Sequence, residues 1–116
     1  MSKQLCEDIV KVLDDKKALN IAAIEIKELT IVADYFVIAT ATSTTHLRAL
    51  IDELEKQMTE KGSSPARIEG KATGWVLADF SAVVVHLFLQ ETREFYNLER
   101  LWDDGAKLDL SYIIKD

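Results

Sequence analysis

Residues 74–102 read GWVLADFSAVVVHLFLQETREFYNLERLW, and this stretch decides the fold. Two runs within it, Trp75–Asp79 and Val83–Leu89, are rich in β-branched and large apolar residues and are separated by a short polar break. This pattern predicts an antiparallel hairpin. Because two strands alone are not stable in water, the hairpin must belong to a larger sheet. After Leu89, charged and aromatic residues recur at helical spacing, which predicts that the chain leaves the sheet there.

The position of the turn decides which residues of the hairpin face each other. A turn at residues 80–81 pairs Asp79 with Ala82 and Trp75 with His86. One face of the hairpin then mixes aromatic and polar side chains, whereas the other is uniformly apolar. The mixed face holds Trp75, Leu77, Val84, His86 and Phe88, and the apolar face holds Val76, Ala78, Val83, Val85 and Leu87. We expect the apolar face to meet the core and the mixed face to be half covered or to bind a partner.

The other elements follow from periodicity and from capping residues. Helices are predicted over 2–16 and from an N-cap at Ser43 or Thr44 to a stop at Gly62, and strands over 21–29, 35–40 and 67–69. The nearly continuous apolar run at 35–40 indicates a central strand, and the imperfect alternation of 21–29 indicates a strand with one wet side at an edge. The second helix has a buried stripe of Leu47, Leu50, Ile51, Leu54 and Met58.

The C-terminal third is less regular. Helical spacing extends over 92–102, with Asn97 able to restart a turn as an N-cap. Residues 1–105 are predicted to form a single α/β domain, and residues 106–116 a C-terminal tail whose apolar residues dock at a place that the sequence leaves open.

Composition excludes several classes of protein. A chain of 116 residues with 48% hydrophobic content fits one compact domain. Its formal net charge of −6 argues against a nucleic-acid binder, sequence-specific or general, and suits a basic protein as partner. Cys6 is the single cysteine, so a disulfide framework and a cysteine zinc site are both excluded. Without an apolar segment long enough to cross a membrane or a signal peptide, we expect a cytoplasmic protein.

No catalytic signature is present. The two histidines lie outside any nucleophile, base and acid arrangement, and the His and Cys residues are too few for a metal site. The hydroxyl-rich run 40–45 precedes a helix N-terminus, which is a place where an anion can bind. Ordinary capping explains the same residues, and the Asp-x-Asp motif that nucleotidyltransferases use to hold two metals is absent. We therefore expect a protein that is not an enzyme and has no cofactor; the alternative is a small nucleotide-binding or nucleotidyltransferase-like enzyme.

Four segments carry a resemblance to a known family. They are ADYFVIAT at 33–40 followed by Ser43, GWVLAD at 74–79, VVVH at 83–86 and REFYNLERLW at 93–102. Together they resemble the ribosomal silencing factor family, also called Iojap-like, over nearly the whole chain. Two positions depart from the family pattern: Ala41 stands where Gly is frequent, and Ser81-Ala82 stands where Gly-Asp is usual.

The resemblance implies a fold and a function. The implied fold is α/β, a mixed sheet of about five strands flanked by helices, similar to the nucleotidyltransferase fold but without its catalytic motif. The implied function is translation repression: binding to the L-fourteen protein of the large ribosomal subunit blocks joining of the small subunit when nutrients are short. The family also implies a homodimer when the protein is free of the ribosome.

The hairpin and the segment after it are the predicted binding surface. The residues predicted to contact the partner are Trp75, Leu77, Asp79, His86, Glu94, Tyr96 and Asn97. Trp75 is expected to be the anchor, because aromatic residues dominate the energetics of protein interfaces. The alternative is that Trp75 is a core residue, as strand tryptophans frequently are.

Overall fold

The computed structural model describes residues 2–27, 33–70, 74–97, 100 and 105–114, without the side chains of Phe95 and Tyr96. The helices within these residues are α1 (Ser2–Asp15), α2 (Thr44–Glu60) and α3 (Gln90–Tyr96). The strands are β1 (Leu19–Glu25), β2 (Tyr35–Ala41), β3 (Arg67–Glu69), β4 (Trp75–Asp79), β5 (Val83–Leu89) and β6 (Ala106–Lys107).

The strands form one mixed sheet in the order β3-β4-β5-β2-β1-β6. β2 and β5 run parallel, and every other neighbouring pair is antiparallel. The predicted mixed α/β sheet is therefore confirmed, and so is the central place of β2, whose seven residues are all buried. The predicted edge position of β1 is wrong, because β6 pairs with Ile24 and Glu25 on the side of β1 away from β2.

The main core lies between one face of the sheet and the helices α1 and α2. α1 contributes Cys6, Ile9, Val10, Val12 and Leu13, and α2 contributes the predicted stripe of Leu47, Leu50, Ile51, Leu54 and Met58. The apolar face of the hairpin, Val76, Ala78, Val83, Val85 and Leu87, meets them as predicted. Burial raises the pKa of the Cys6 thiol to about 12, so this side chain acts as a small apolar residue.

The hairpin turn lies one residue later than predicted. Phe80 N–H donates to the Val83 carbonyl over 2.9 Å, so Ser81 and Ala82 are the central residues of the turn. This shifts the pairing by two positions: Trp75 lies opposite Phe88, and the predicted pairing of Trp75 with His86 is wrong. The two faces keep their composition, because side chains alternate with a period of two.

Ser81 adopts a backbone conformation that non-glycine residues rarely take. Its φ is +71°, a left-handed conformation that suits Gly best. Ser81 is held there by its backbone N–H, which donates to Asp79 Oδ1 over 2.8 Å. A local side-chain hydrogen bond thus supports a backbone conformation that Ser alone disfavours.

The segment after β5 is a short helix that ends at Asn97. Asn97 has a φ of +45° and its N–H donates to the Arg93 carbonyl, so it is the C-cap of α3. Arg100 is helical and its N–H donates to the Asn97 carbonyl over 3.0 Å, which agrees with the prediction that a helical turn restarts at Asn97. Arg93 fastens α3 to the sheet, because its Nη1 donates to the Asn20 carbonyl and to Thr40 Oγ1, each over 2.7 Å. Most of the predicted continuation to residue 102 lies outside the described residues.

The segment 106–116, expected to be a tail, docks on the same sheet over its described part. Ala106–Lys107 forms β6, and Leu108 N–H donates to the Ala23 carbonyl over 2.9 Å. Leu110 is buried in the main core, and the Tyr112 hydroxyl donates to Glu7 Oε2 on α1.

Helices α1 and α2 end in the same backbone motif with different residues. Ala18 N–H donates to Leu13 and Lys17 N–H to Asp14, with Lys17 at a φ of +65°. α2 repeats this pattern with Gly62 at the left-handed position, at a φ of +86°. Both are Schellman motifs, in which Gly avoids the steric cost of a Cβ.

We expect Lys17→Gly to raise the free energy of unfolding by about 0.5–1 kcal/mol, because it relieves a left-handed Lys. Gly62→Ala is expected to lower it by about 1 kcal/mol, since a Cβ at Gly62 meets open space and the cost is one of backbone conformation alone. Urea denaturation measures both. The matched control is Lys61→Gly, at a φ of −85°, which should not stabilise; stabilisation equal to that of Lys17→Gly would contradict the explanation.

Candidate functional site

Four rings form a cluster on the face of the sheet opposite α1 and α2, here called the aromatic cluster: Phe36, Trp75, His86 and Phe88. Trp75 on β4 stacks on its cross-strand neighbour Phe88, with ring centroids 5.2 Å apart. Phe36 on β2 meets the His86 ring edge-on at 4.9 Å. Phe36, His86 and Phe88 are buried, whereas Trp75 is half-buried. The cluster therefore supports the Trp75 ring from inside and leaves part of it accessible.

A hydrogen bond fixes the orientation of Trp75. Its indole Nε1–H donates to His86 Nδ1 over 3.1 Å. Nδ1 must be unprotonated to accept this bond, so the proton of the neutral imidazole lies on Nε2. His86 Nε2 is buried and has no hydrogen-bond partner within the part of the chain that the structure describes. Burial lowers the pKa of His86 to about 4, so the ring is neutral at pH 7.

A cavity of about 230 Å³ lies beside Trp75, near the edge strand β3. Glu69 and Gly70 line one side, and Trp75 and Leu77 line the other. Glu69 lies opposite Leu77 in the β3–β4 pairing, and Trp75 and Leu77 share a face because they are two residues apart. A carboxylate, an indole and an aliphatic side chain thus border one space.

Asp79 lies further along the same strand and has structural partners. Its Oδ1 accepts from Ser81 N–H, and its Oδ2 lies 3.5 Å from Arg67 Nε. Arg67 Nε also lies 3.1 Å from Glu69 Oε2, so the Arg67 guanidinium is within ion-pair distance of two carboxylates. The side chains of Arg67 and Glu69 are 62% and 57% exposed, respectively, and such pairs contribute little to stability.

The other predicted contact residues lie at a second place. Glu94 and Asn97 are exposed and line a cavity of about 280 Å³ with Asn20, Gln90 and Arg93. Gln90 Nε2 donates to Glu94 Oε2 over 2.6 Å. The side chain of Tyr96 lies outside the described part of the structure. Its contact with the partner therefore stays a prediction.

The site around Trp75 and the site around Glu94 and Asn97 adjoin each other at Gly74. Leu89 N–H donates to the Gly74 carbonyl over 3.0 Å, and a Cβ on Gly74 would lie 2.5 Å from Thr92 Oγ1. The start of α3 therefore lies against the start of β4. The structure brings Trp75, Leu77, Asp79 and His86 together on one face, and sets Glu94 and Asn97 at the adjoining end of the sheet, beyond Gly74.

The hydroxyl-rich run 40–45 is used for folding. Ser43 Oγ accepts from His46 N–H over 3.1 Å as the N-cap of α2. The Thr42 backbone N–H donates to His46 Nδ1, and the Thr40 hydroxyl accepts from Arg93. A cavity of about 490 Å³ does lie here, at the carboxyl ends of the parallel strands β2 and β5. Ser43 Oγ, the Thr42 N–H and the Thr40 hydroxyl, which a nucleotide could otherwise contact, are therefore already paired within the chain.

Two further features bear on the class of protein. Within the described ranges, no group of three or more His, Cys, Asp or Glu side chains is arranged to hold a metal ion. A search of the same ranges finds no helix with the length and apolar character needed to span a membrane.

Sequence reasoning missed Phe36 and Glu69. Phe36 belongs to a run read only as a buried strand, and Glu69 to a three-residue strand at the edge of the sheet. Both join the site through strand order, which a hydrophobic pattern does not specify. The alternation of 67–69 was the available signal, since it puts two charged residues on one face of β3.

Comparison with known proteins gives a consistent result. The sequence model of the family described as "Ribosomal silencing factor during starvation" matches residues 1–116. A relative named ribosomal silencing factor RsfS from Halalkalibacterium halodurans is 37% identical over 114 residues, which is 97% of each chain. A relative of the same name from Bacillus subtilis is 39% identical over 100 residues, or 85% of each chain.

The fold is also found among solved structures. A crystal structure of a Chromobacterium violaceum protein superposes with a TM-score of 0.86 at 28% identity, covering 96% of this chain and 92% of that one. The likeness therefore extends to the whole sheet and its helices.

Proposed function

This chain belongs to the ribosomal silencing factor family, whose role is the silencing of translation at the ribosome, and we propose that it binds the large ribosomal subunit. The finer proposal is that it contacts the L-fourteen protein and sterically blocks joining of the small subunit. The protein would act when nutrients are short, in the cytoplasm, and would be a homodimer when free. A match over residues 1–116 to a family named for silencing is the observation that carries the proposal.

The aromatic cluster supports a protein partner. Trp75 is half-buried and backed by three buried rings, so its exposed part can be covered by a partner without rearrangement of the sheet. Rigid aromatic anchors of this kind carry much of the binding energy at protein interfaces. The net charge of −6 favours a basic partner surface and faster association with it.

The chemistry of the candidate site suits a regulator that acts by binding and catalyses no reaction. The names of the relatives point to a regulator, and the hydroxyl groups of Ser43 and Thr40 accept hydrogen bonds from within the chain. A steric mechanism needs only a surface that occupies the subunit interface, and it needs no reacting group.

Co-sedimentation with purified large subunits tests the binding. We expect the protein to move with the large subunit and to remain at the top of the gradient with small subunits alone. A light-scattering assay of subunit joining tests the mechanism, because the protein should slow joining in proportion to the large subunits that it occupies. Binding without any effect on joining would contradict the steric mechanism, and failure to sediment would contradict the proposal as a whole.

A further inference from the structure

We propose that the cavity between Glu69 and Trp75 binds an arginine side chain of the partner protein. This inference rests on the proposed function, and it deepens it by naming the chemistry of one contact. The guanidinium would stack on the indole of Trp75 and pair with the Glu69 carboxylate. Leu77 would contact the methylene groups of the same side chain.

The walls of the cavity match these parts of arginine. Trp75 presents a flat ring that is held in one orientation by its hydrogen bond to His86 and its stack on Phe88. Glu69 and Leu77 are cross-strand partners, so the carboxylate and the aliphatic group rise from the same face next to that ring. A guanidinium can stack on an aromatic face and still donate in its own plane to a carboxylate.

The charges near the cavity favour a cation. Arg67 lies within ion-pair distance of both Glu69 and Asp79, so these three described side chains carry a net charge of −1. An incoming guanidinium would take Glu69 as its partner, while Arg67 keeps its contact with Asp79. Each carboxylate would then have one cation. A partner carboxylate at the same place would instead add a third negative charge, which electrostatic complementarity disfavours.

The volume of about 230 Å³ suits a single side chain. Gly70, among the described lining residues, contributes backbone and no side chain. Lysine would gain the charge pairing but not the planar stacking, so arginine is the better fit.

The first experiment measures binding to purified large subunits. Glu69→Gln is expected to weaken binding about three- to tenfold and to reduce its dependence on salt, because one interfacial charge pair is lost. The matched control is Glu60→Gln, an equal charge change at an exposed residue of α2, which packs on the opposite face of the sheet. Equal effects of the two variants, or a lower affinity with unchanged salt dependence, would overturn the arginine site.

A double-mutant cycle of Glu69→Gln with Trp75→Leu shows whether both residues hold the same group. Two residues that contact one guanidinium should give non-additive losses of affinity. Additive losses would overturn the inference while the proposed function stands.

The second experiment does not need the ribosome. The indole N–H resonance of Trp75, assigned by its absence in Trp75→Phe, is followed by NMR during titration with N-acetyl-arginine amide. We expect a progressive shift that is reduced in Glu69→Gln and absent with N-acetyl-citrulline amide, which has the same shape without the charge. An identical response to both amides, or to neither, would overturn the site. A wild-type protein that responds to arginine amide but does not sediment with large subunits would instead contradict the proposed function.

Discussion

Lowering the pH from 7 to 4 is expected to reduce the free energy of unfolding by about 3 kcal/mol through His86 alone. Its pKa is about 4 in the folded protein, below the ordinary value of 6.5. Between these values the unfolded chain binds the proton and the folded chain does not. The stability contributed by a neutral His86 is therefore complete above pH 6.5, declines as the pH falls, and is lost below about pH 4.

The surroundings of His86 make this effect separable from other titrations. The rings packed on it, those of Phe36, Trp75 and Phe88, do not titrate in this range. Because acidic groups in general also contribute to the pH dependence of stability, the measured quantity is a difference between two proteins.

We would compare the wild type with His86→Gln by urea denaturation from pH 7 to pH 4. Gln retains an amide oxygen that can accept from the Trp75 indole but does not titrate. The variant should lose stability less steeply than the wild type between pH 6.5 and pH 4. Parallel curves for the wild type and His86→Gln would contradict the assignment.

Trp75→Ala is expected to weaken binding to the large ribosomal subunit by at least about 2 kcal/mol, roughly thirtyfold. The variant removes the exposed part of the indole, which we propose is the anchor. It also removes the donor to His86 Nδ1 and the stack on Phe88, so some loss of stability accompanies it. Affinity and thermal unfolding must therefore be measured on the same preparation.

Trp75→Phe separates the two contributions. Phe keeps an aromatic ring for the stack on Phe88 and removes the indole N–H and part of the exposed surface. We expect both its unfolding temperature and its affinity to lie between those of the wild type and Trp75→Ala, because it keeps the stack on Phe88 but loses the donor to His86 Nδ1. A folded Trp75→Ala protein with unchanged affinity would show that Trp75 is not the anchor, and a variant that unfolds would favour a core role.

The hairpin shows how much of this structure its sequence could predict. The alternation of 75–79 and 83–89 predicted both strands and both faces, because burial selects side chains with a period of two. The turn itself was misplaced by one residue. A bond from Ser81 N–H to Asp79 Oδ1 stabilises a positive φ that the propensity of Ser does not suggest.

Strand order and the C-cap role of Asn97 could not be predicted in this way. An apolar run such as 35–40 indicates a central strand but not that β5 is its parallel neighbour. The sequence indicated the helical restart after Asn97 but not that Asn97 also ends α3 in a left-handed conformation, because Asn suits both positions. The cavity beside Trp75 depends on the place of β3 next to β4, so Glu69 was not predicted as part of the site.

The parallel pair of β2 and β5 has a consequence for the synthesis of this protein. Tyr35 pairs with Val83, so β2 is made 83 − 35 = 48 residues before its neighbour. β1 is made before β2 and can pair with one of its edges, but at about 5–20 residues per second the other edge of this apolar strand has no partner for about 2–10 s. An exposed strand edge invites pairing with other chains. Conditions that slow elongation lengthen this interval, so the nascent protein is most prone to aggregate when ribosomes are slow.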